Sequence, residues 1–225
     1  PATPTSGRHP LPSPTDFERR LRAWGVNADS LVVAYDDGNG MYAARLWWML
    51  RWLGHDEVVV LDGGMRRWLQ LGLPLDEGVP EPAPGNFAAR LRPAMAATAS
   101  EVLAAARDPL TRLVDARAPE RYRGEVEPID KVAGHIPGAR NHPFGLSVDA
   151  QGRFLPPAAL REALSASLDG VEPPRTIAYC GSGVTACHLL LALEHAGLAG
   201  ARLYPGSWSE WSSDPARPVR TGAAP

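Results

Sequence analysis

The chain has only two cysteines, Cys180 and Cys187. A disulfide scaffold needs more of them, spread along the sequence. Seven residues along one helix is about two turns, roughly 10 Å of rise, which is too far for the pair to bridge each other. Free thiols suit a reducing compartment, so a cytoplasmic location is expected. Long hydrophobic runs are also missing, and no stretch reaches the ~18 apolar residues that signal a membrane helix. The Pro-rich start, Pro1 to Pro14, lacks the apolar segment of a secretory signal. Charge of one sign is absent as well: 23 Lys and Arg stand against 25 Asp and Glu, with no basic face of the kind nucleic acids attract. Neither nucleic acid nor membrane is expected as a partner.

What is present is an ordinary globular composition, 44% hydrophobic and 21% charged, over 225 residues. That length suits one large domain or two small ones. Two segments resemble each other. The first runs Leu31-Val-Val-Ala-Tyr35-Asp36-Asp-Gly-Asn-Gly40, an apolar helix, then Val58-Val-Val-Leu-Asp62-Gly-Gly64, with Trp68 beyond. The second runs Thr176-Ile-Ala-Tyr179-Cys180-Gly-Ser-Gly183, an apolar helix, then Ala201-Arg-Leu-Tyr204-Pro-Gly206, with Trp208 and Trp211 beyond. Each reads as strand, Gly-containing turn, helix, strand, which implies parallel strands joined by a right-handed crossover. The chain therefore reads as a duplicated α/β domain.

Between the copies, Glu77 to Ala97 carries Pro80, Pro82, Pro84 and Gly85, the composition of a surface linker. Helical signals resume at Ser100-Glu101, and the strand Arg112-Leu-Val-Asp115 follows. The expected division is 1–77, a linker over 78–98, and 99–225. The copies are unequal: 67 residues separate Leu113 from Cys180, but only 35 separate Pro1 from Asp36. The first copy is expected to lack its N-terminal part, including its first strand.

Cys180 stands directly after one strand and before the helix that begins near Val184. Gly181, Ser182 and Gly183 let the backbone curl so that amides point at the sulfur. The helix N-terminus adds its positive dipole end, and both effects favour a thiolate, the nucleophilic form. Ser182 and Thr185 supply hydroxyls at the same rim. A small buried residue at a strand end is the plainer reading of a free cysteine; the strand–Cys–Gly–Ser–Gly–helix order favours a nucleophile instead. Cys187, two turns into an apolar helix, reads as core. Trp47, Trp48 and Trp52 have core spacing as well. Trp208 and Trp211 read as walls of the active-site side, with core packing a nearly equal alternative.

Tyr179-Cys-Gly-Ser-Gly-Val-Thr-Ala186 together with Gly206-Ser-Trp-Ser-Glu-Trp211 resembles the second domain of the tandem-domain rhodanese superfamily, in its 3-mercaptopyruvate sulfurtransferase branch. Asp115-Ala-Arg117, Arg121-Tyr-Arg-Gly124 and Gly134-His-Ile-Pro-Gly-Ala139 carry the same resemblance, as do Trp47-Trp48, Gly54-His55 and Leu61-Asp-Gly-Gly64. The resemblance implies two rhodanese-like α/β domains, each a parallel sheet flanked by helices, with only the second catalytic. It also implies sulfur transfer from 3-mercaptopyruvate through a Cys180 persulfide to thioredoxin, glutathione or cyanide, without a cofactor.

By the same resemblance Arg121 binds the substrate carboxylate, and Gly181, Gly183 and Val184 line the loop around it. Thiosulfate-preferring relatives carry cationic residues inside that loop, where this chain has Gly181 and Ser182; 3-mercaptopyruvate is therefore the expected donor and thiosulfate the alternative. A second arginine often follows a Glu-Pro pair in the family. Here Ile129 follows Glu127-Pro128, which leaves Arg117 or Arg123 to serve. His135 and Asp115 invite a Cys-His-Asp reading, but Gly-His-Ile-Pro-Gly is a turn in which the histidine is expected to be structural. Asp36 replaces the cysteine in the first copy and cannot accept sulfur, so that half is expected to be inert. A cysteine phosphatase needs an arginine six positions after its cysteine, where this chain has Ala186. A non-catalytic binding module is the other rival.

Overall fold

The computed structural model describes residues 6–225; Pro1–Thr5, the opening of the Pro-rich stretch, lie outside the described residues. Ser13 starts the first helix, α1 (Pro14–Ala23). Its hydroxyl accepts the Asp16 amide, and Pro14 takes the first helical position, where no amide is needed. Two compact units follow from the packing: residues 11–93 with 150–153, and residues 6–10 with 94–149 and 154–225.

In the smaller unit, β1 (Val32–Ala34) and β2 (Val58–Val60) pair in parallel, Val33 opposite Val59. Between them runs α2 (Met41–Trp52), and α3 (Gly64–Gln70) comes after. Trp47, Trp48 and Trp52 are buried, the last two stacked at 5.9 Å, so the tryptophans pack the core as their spacing indicates. The Pro-rich stretch is exposed over residues 71–84. From Gly85 it packs down again. Phe87 N donates to Val26 O, and Arg90 N and Arg92 N donate to the carbonyls of Leu53 and Trp52. Residues 94–98 run with the larger unit.

The larger unit opens with α4 (Ala99–Ala105), which Thr98 caps by accepting the Glu101 amide while the Glu101 carboxylate bonds back. The helix thus starts earlier than Ser100, because the threonine and not the serine lies three residues before the glutamate. Capping and Arg202 hold the Glu101 carboxyl down at about 2. Then come β3 (Arg112–Asp115), α5 (Pro119–Tyr122), β4 (Ala139–Asn141), α6 (Pro157–Leu168), β5 (Thr176–Tyr179), α7 (Thr185–His195), β6 (Arg202–Leu203) and α8 (Ser207–Trp211). The strands form one parallel sheet in the order β4-β3-β5-β6. All four residues of β5 are buried, as a central parallel strand covered on both faces requires. The sequences β1–α2–β2–α3 and β5–α7–β6–α8 have the same order of elements, which is the duplication read above.

Trp208 and Trp211 are fully buried, with indole nitrogens donating to Val132 O and Pro218 O at 2.9 Å each. They are core residues rather than walls of an open site. Burying two large rings contributes several kcal/mol of apolar transfer free energy, provided each N–H finds an acceptor. Among the described residues no helix is long and apolar enough to cross a membrane.

Candidate active site

β5 ends at Tyr179 and the backbone bends through Cys180–Val184 before α7 begins. Gly183 has φ of 80°, a left-handed conformation in which a side chain is strained. That turn aims its amide at Cys180 Sγ, 3.1 Å away. Among the described residues this is the one amide that donates to the sulfur, where the sequence suggested several. The other polar groups of the bend are used to fix its frame. Cys180 N donates to Ser207 Oγ at 3.1 Å, while Trp208 N and Ser209 N donate to the carbonyls of Cys180 and Gly181 at 2.9 and 3.0 Å. Ser207 itself has φ of 53°. A strained serine persists only where its surroundings over-determine it, and here its hydroxyl both accepts from Cys180 N and donates to Tyr204 O.

The remaining expected site residues fall as follows. Gly181, Ser182 and Gly183 are buried; Val184, the residue before α7, and Thr185, its first residue, are half-buried. Ser182 Oγ lies 2.8 Å from His9 Nδ1. Thr185 Oγ1 makes no hydrogen bond among the described residues, so the two hydroxyls differ in use. Cys187 Sγ donates to Gly183 O at 3.2 Å from inside the core, which supports the bend; Cys180 is buried as well.

Arg121, on α5, reaches the same bend. A Cβ built on Gly181 would come within 3.5 Å of Arg121 Nη1 and 3.0 Å of Arg8 Nη2. Arg121 donates Nε and Nη2 to Glu127 at 3.3 and 2.6 Å, and Nη2 is 3.6 Å from Asp130 Oδ2. Burial pushes the Glu127 carboxyl up, but Arg121 and the amides of Asp130 and Ile129 outweigh it and leave it low. The carboxylate is thus kept charged and fixes the guanidinium.

Arg8 and His9 were not among the residues singled out from the sequence. Gly7, with φ of 75°, packs so tightly that a Cβ there would lie 2.7 Å from Gly206 O. Arg8 N then donates to Ser209 Oγ at 3.1 Å, and the Arg8 guanidinium pairs with Asp130. The available signal was Gly7-Arg8-His9, a glycine followed by two chemistry-bearing side chains inside a stretch otherwise free of charged residues and rich in Pro, Ser and Thr.

Arg117 and Arg123 are both engaged in other ion pairs. Arg117 is buried and donates Nη2 to Asp115 Oδ2 at 2.6 Å and to Gly134 O at 2.7 Å. Burial alone would weaken its charge, but Asp115 and Glu127 overcome this and raise its pKa. Arg123 pairs at the surface with Glu125. His135 is structural: Nδ1 is 2.7 Å from Tyr122 O, Nε2 is 3.2 Å from Ala224 O, and the ring stacks on Tyr122 at 3.8 Å.

In the smaller unit Asp36 occupies the corresponding bend. Its carboxylate accepts the amides of Gly38, Gly40, Tyr42 and Ala43 at 2.9–3.2 Å. Burial raises its pKa, and those four amides more than reverse the effect, so the net shift is downward. The bend that holds a thiol in one unit holds a permanent anion in the other.

A parallel α/β unit is repeated in one chain, with a cysteine at the strand-to-helix bend of one copy and a carboxylate at that of the other. The model of the rhodanese-like domain matches residues 3–71 and 98–214. A "Probable 3-mercaptopyruvate sulfurtransferase" of Pseudomonas aeruginosa is 51% identical over 218 residues, 96% of this chain and 77% of that protein. The human 3-mercaptopyruvate sulfurtransferase is 40% identical over 90% of this chain and 69% of its own length. The crystal structure of SseA from Escherichia coli, described as a 3-mercaptopyruvate sulfotransferase, superposes with a TM-score of 0.77 at 37% identity, covering 88% of this chain and 74% of that one. The chain belongs to the rhodanese family.

Proposed function

We propose that the chain is a sulfurtransferase that moves sulfane sulfur from 3-mercaptopyruvate to a thiol or cyanide through a persulfide on Cys180, releasing pyruvate. The observation that carries this is the cysteine bend itself: a sulfur with the Gly183 amide 3.1 Å away, beside a glycine that Arg121 overlies. The named relatives support the choice of donor.

The Cys180 thiolate attacks the donor sulfur while Arg121 holds the carboxylate. The carbon–sulfur bond breaks, its electron pair leaves as the enolate of pyruvate, and the donor sulfur stays on Cys180. The enolate carbon takes a proton from the Ser182 hydroxyl, which the adjacent His9 imidazole helps to replace. Gly183 N stabilises the sulfur anion, and the half-buried Thr185 and Val184 close the rim of the loop. An acceptor thiolate then attacks the outer sulfur, an ordinary exchange at a sulfur–sulfur bond. Thioredoxin or glutathione in a reducing cytoplasm is the acceptor that two reduced cysteines suit.

A second donor, thiosulfate, is favoured by one observation: two guanidiniums, Arg8 and Arg121, overlie Gly181. Pyruvate and thiocyanate formation with cyanide as acceptor tests the reading. Turnover of 3-mercaptopyruvate is expected to exceed that of thiosulfate in kcat/KM and to vanish in Cys180→Ser but not in Cys187→Ser. Undiminished turnover in Cys180→Ser would overturn it.

A further inference from the structure

A 2-oxo acid donor presents a carboxylate with two oxygens and a carbonyl beside it, and bidentate guanidinium contact is what orients such a group. Arg121 alone supplies little of this. Its Nε and Nη2 are spent on Glu127, which leaves Nη1 directed to the bend. Arg117 is sealed into its pair with Asp115, Arg123 is held by Glu125, and Ile129 after the Glu-Pro pair is apolar and exposed. The other cation against the loop is Arg8.

Its position is built rather than incidental. The left-handed Gly7 seats the segment on Gly206, the Arg8 amide is fixed by Ser209 Oγ, and the next residue, His9, is held at Ser182. Arg8 and Arg121 share one counter-ion, Asp130. Its Oδ1 meets Arg8, while its Oδ2 is buried, 3.6 Å from Arg121, and has no hydrogen-bond partner among the described residues. The Asp130 side chain is only 9% exposed, so it works as an internal spacer between the guanidiniums. Gly181 is the one loop residue whose missing side chain lets both cations lie on the backbone next to Cys180.

We infer that Arg8 is a substrate-binding residue: with Arg121 it forms a two-guanidinium clamp over Gly181 that takes the carboxylate of the sulfur donor, and Asp130 sets the spacing of the pair. This rests on the sulfurtransferase reading above and adds its second anchor. The residue lies outside the stretch between Asp115 and Gly134 that carries Arg121, so one half of the clamp comes from near the start of the sequence and the other from its middle.

Two readouts test the clamp. In steady state, Arg8→Met is expected to raise KM for 3-mercaptopyruvate about tenfold or more, the loss of one charge-assisted contact, with kcat within about threefold and partial rescue in Arg8→Lys. Independently of turnover, Cys180 is alkylated with iodoacetate, which carries a carboxylate, and with neutral iodoacetamide, the adduct being located by peptide mass spectrometry. The iodoacetate-to-iodoacetamide rate ratio is expected to fall about fivefold or more in Arg8→Met and to recover in Arg8→Lys. An unchanged KM and an unchanged ratio would overturn the clamp. Equal loss of both alkylation rates would also overturn it, by making Arg8 a structural residue. Wild-type chain that makes no pyruvate would instead sink the donor reading, while the alkylation ratio still decides whether Arg8 binds carboxylate.

Discussion

His9 Nδ1 lies 2.8 Å from Ser182 Oγ, although 173 positions separate the two in the sequence. A hydroxyl held by an imidazole can give up a proton and have it replaced without waiting for bulk water. Ser182→Ala and His9→Asn are each expected to lower kcat for pyruvate release by about 10²-fold, the usual scale of general acid catalysis. KM should hardly change. The double variant should be no slower than the slower single one, since the pair acts as a unit. Stopped-flow or steady-state pyruvate assays check both points.

Arg117 and Arg123 separate cleanly by burial. Arg117→Leu leaves Asp115 buried and unpaired, and it is expected to cost about 3–5 kcal/mol of stability, enough to unfold much of the larger unit. Arg123→Ala removes a solvent-screened surface pair and should leave stability almost unchanged. Urea denaturation midpoints measure the difference.

Asp36→Asn keeps the shape of the side chain but turns one acceptor into a donor among four amides. A loss of about 1–2 kcal/mol is expected, the scale of a deleted helix cap. Because the folded pKa is lowered, the wild-type contribution is present above the ordinary carboxylate value of 3.8 and is lost as pH falls through the folded value. Thermal unfolding at pH 7 and at pH 3 checks it: the variant should differ from wild type at the first and converge towards it at the second.

His142 gives a second, separate pH window. Burial pushes its pKa down to about 4, its Nδ1 is bonded to Ser167, and its Nε2 has no hydrogen-bond partner among the described residues. The unfolded chain binds a proton at about 6.5 and the folded one does not. Stability is therefore expected to fall as pH drops from 6.5 towards 4, by up to roughly 3 kcal/mol. His142→Gln should flatten that slope, as seen in denaturation curves across the same range.

Much of this was legible in the sequence, for physical reasons. The strand–turn–helix units carry runs of Val, Ile and Leu whose length and flanking glycines admit few other folds, and the cysteine bend is local, within five residues. Three things were hidden. The helix start at Thr98, two residues ahead of the Ser100-Glu101 signal, shows only when the spacing of the threonine is counted back from Glu101. Trp208 and Trp211 read equally as wall or core, and only the acceptors Val132 O and Pro218 O decide. Arg8 and His9 sit in a segment whose composition says tail. Its packing on residues 206–209 depends on contacts that no local pattern encodes.

The central claim is that Cys180 accepts the sulfur, and mass spectrometry of the intact chain after brief exposure to 3-mercaptopyruvate, without acceptor, tests it most directly. The account predicts the addition of one sulfur atom, mapped to the peptide containing Cys180, reversed by a thiol and missing in Cys180→Ser. Sulfur found on Cys187 instead, or gained equally by the serine variant, would contradict it.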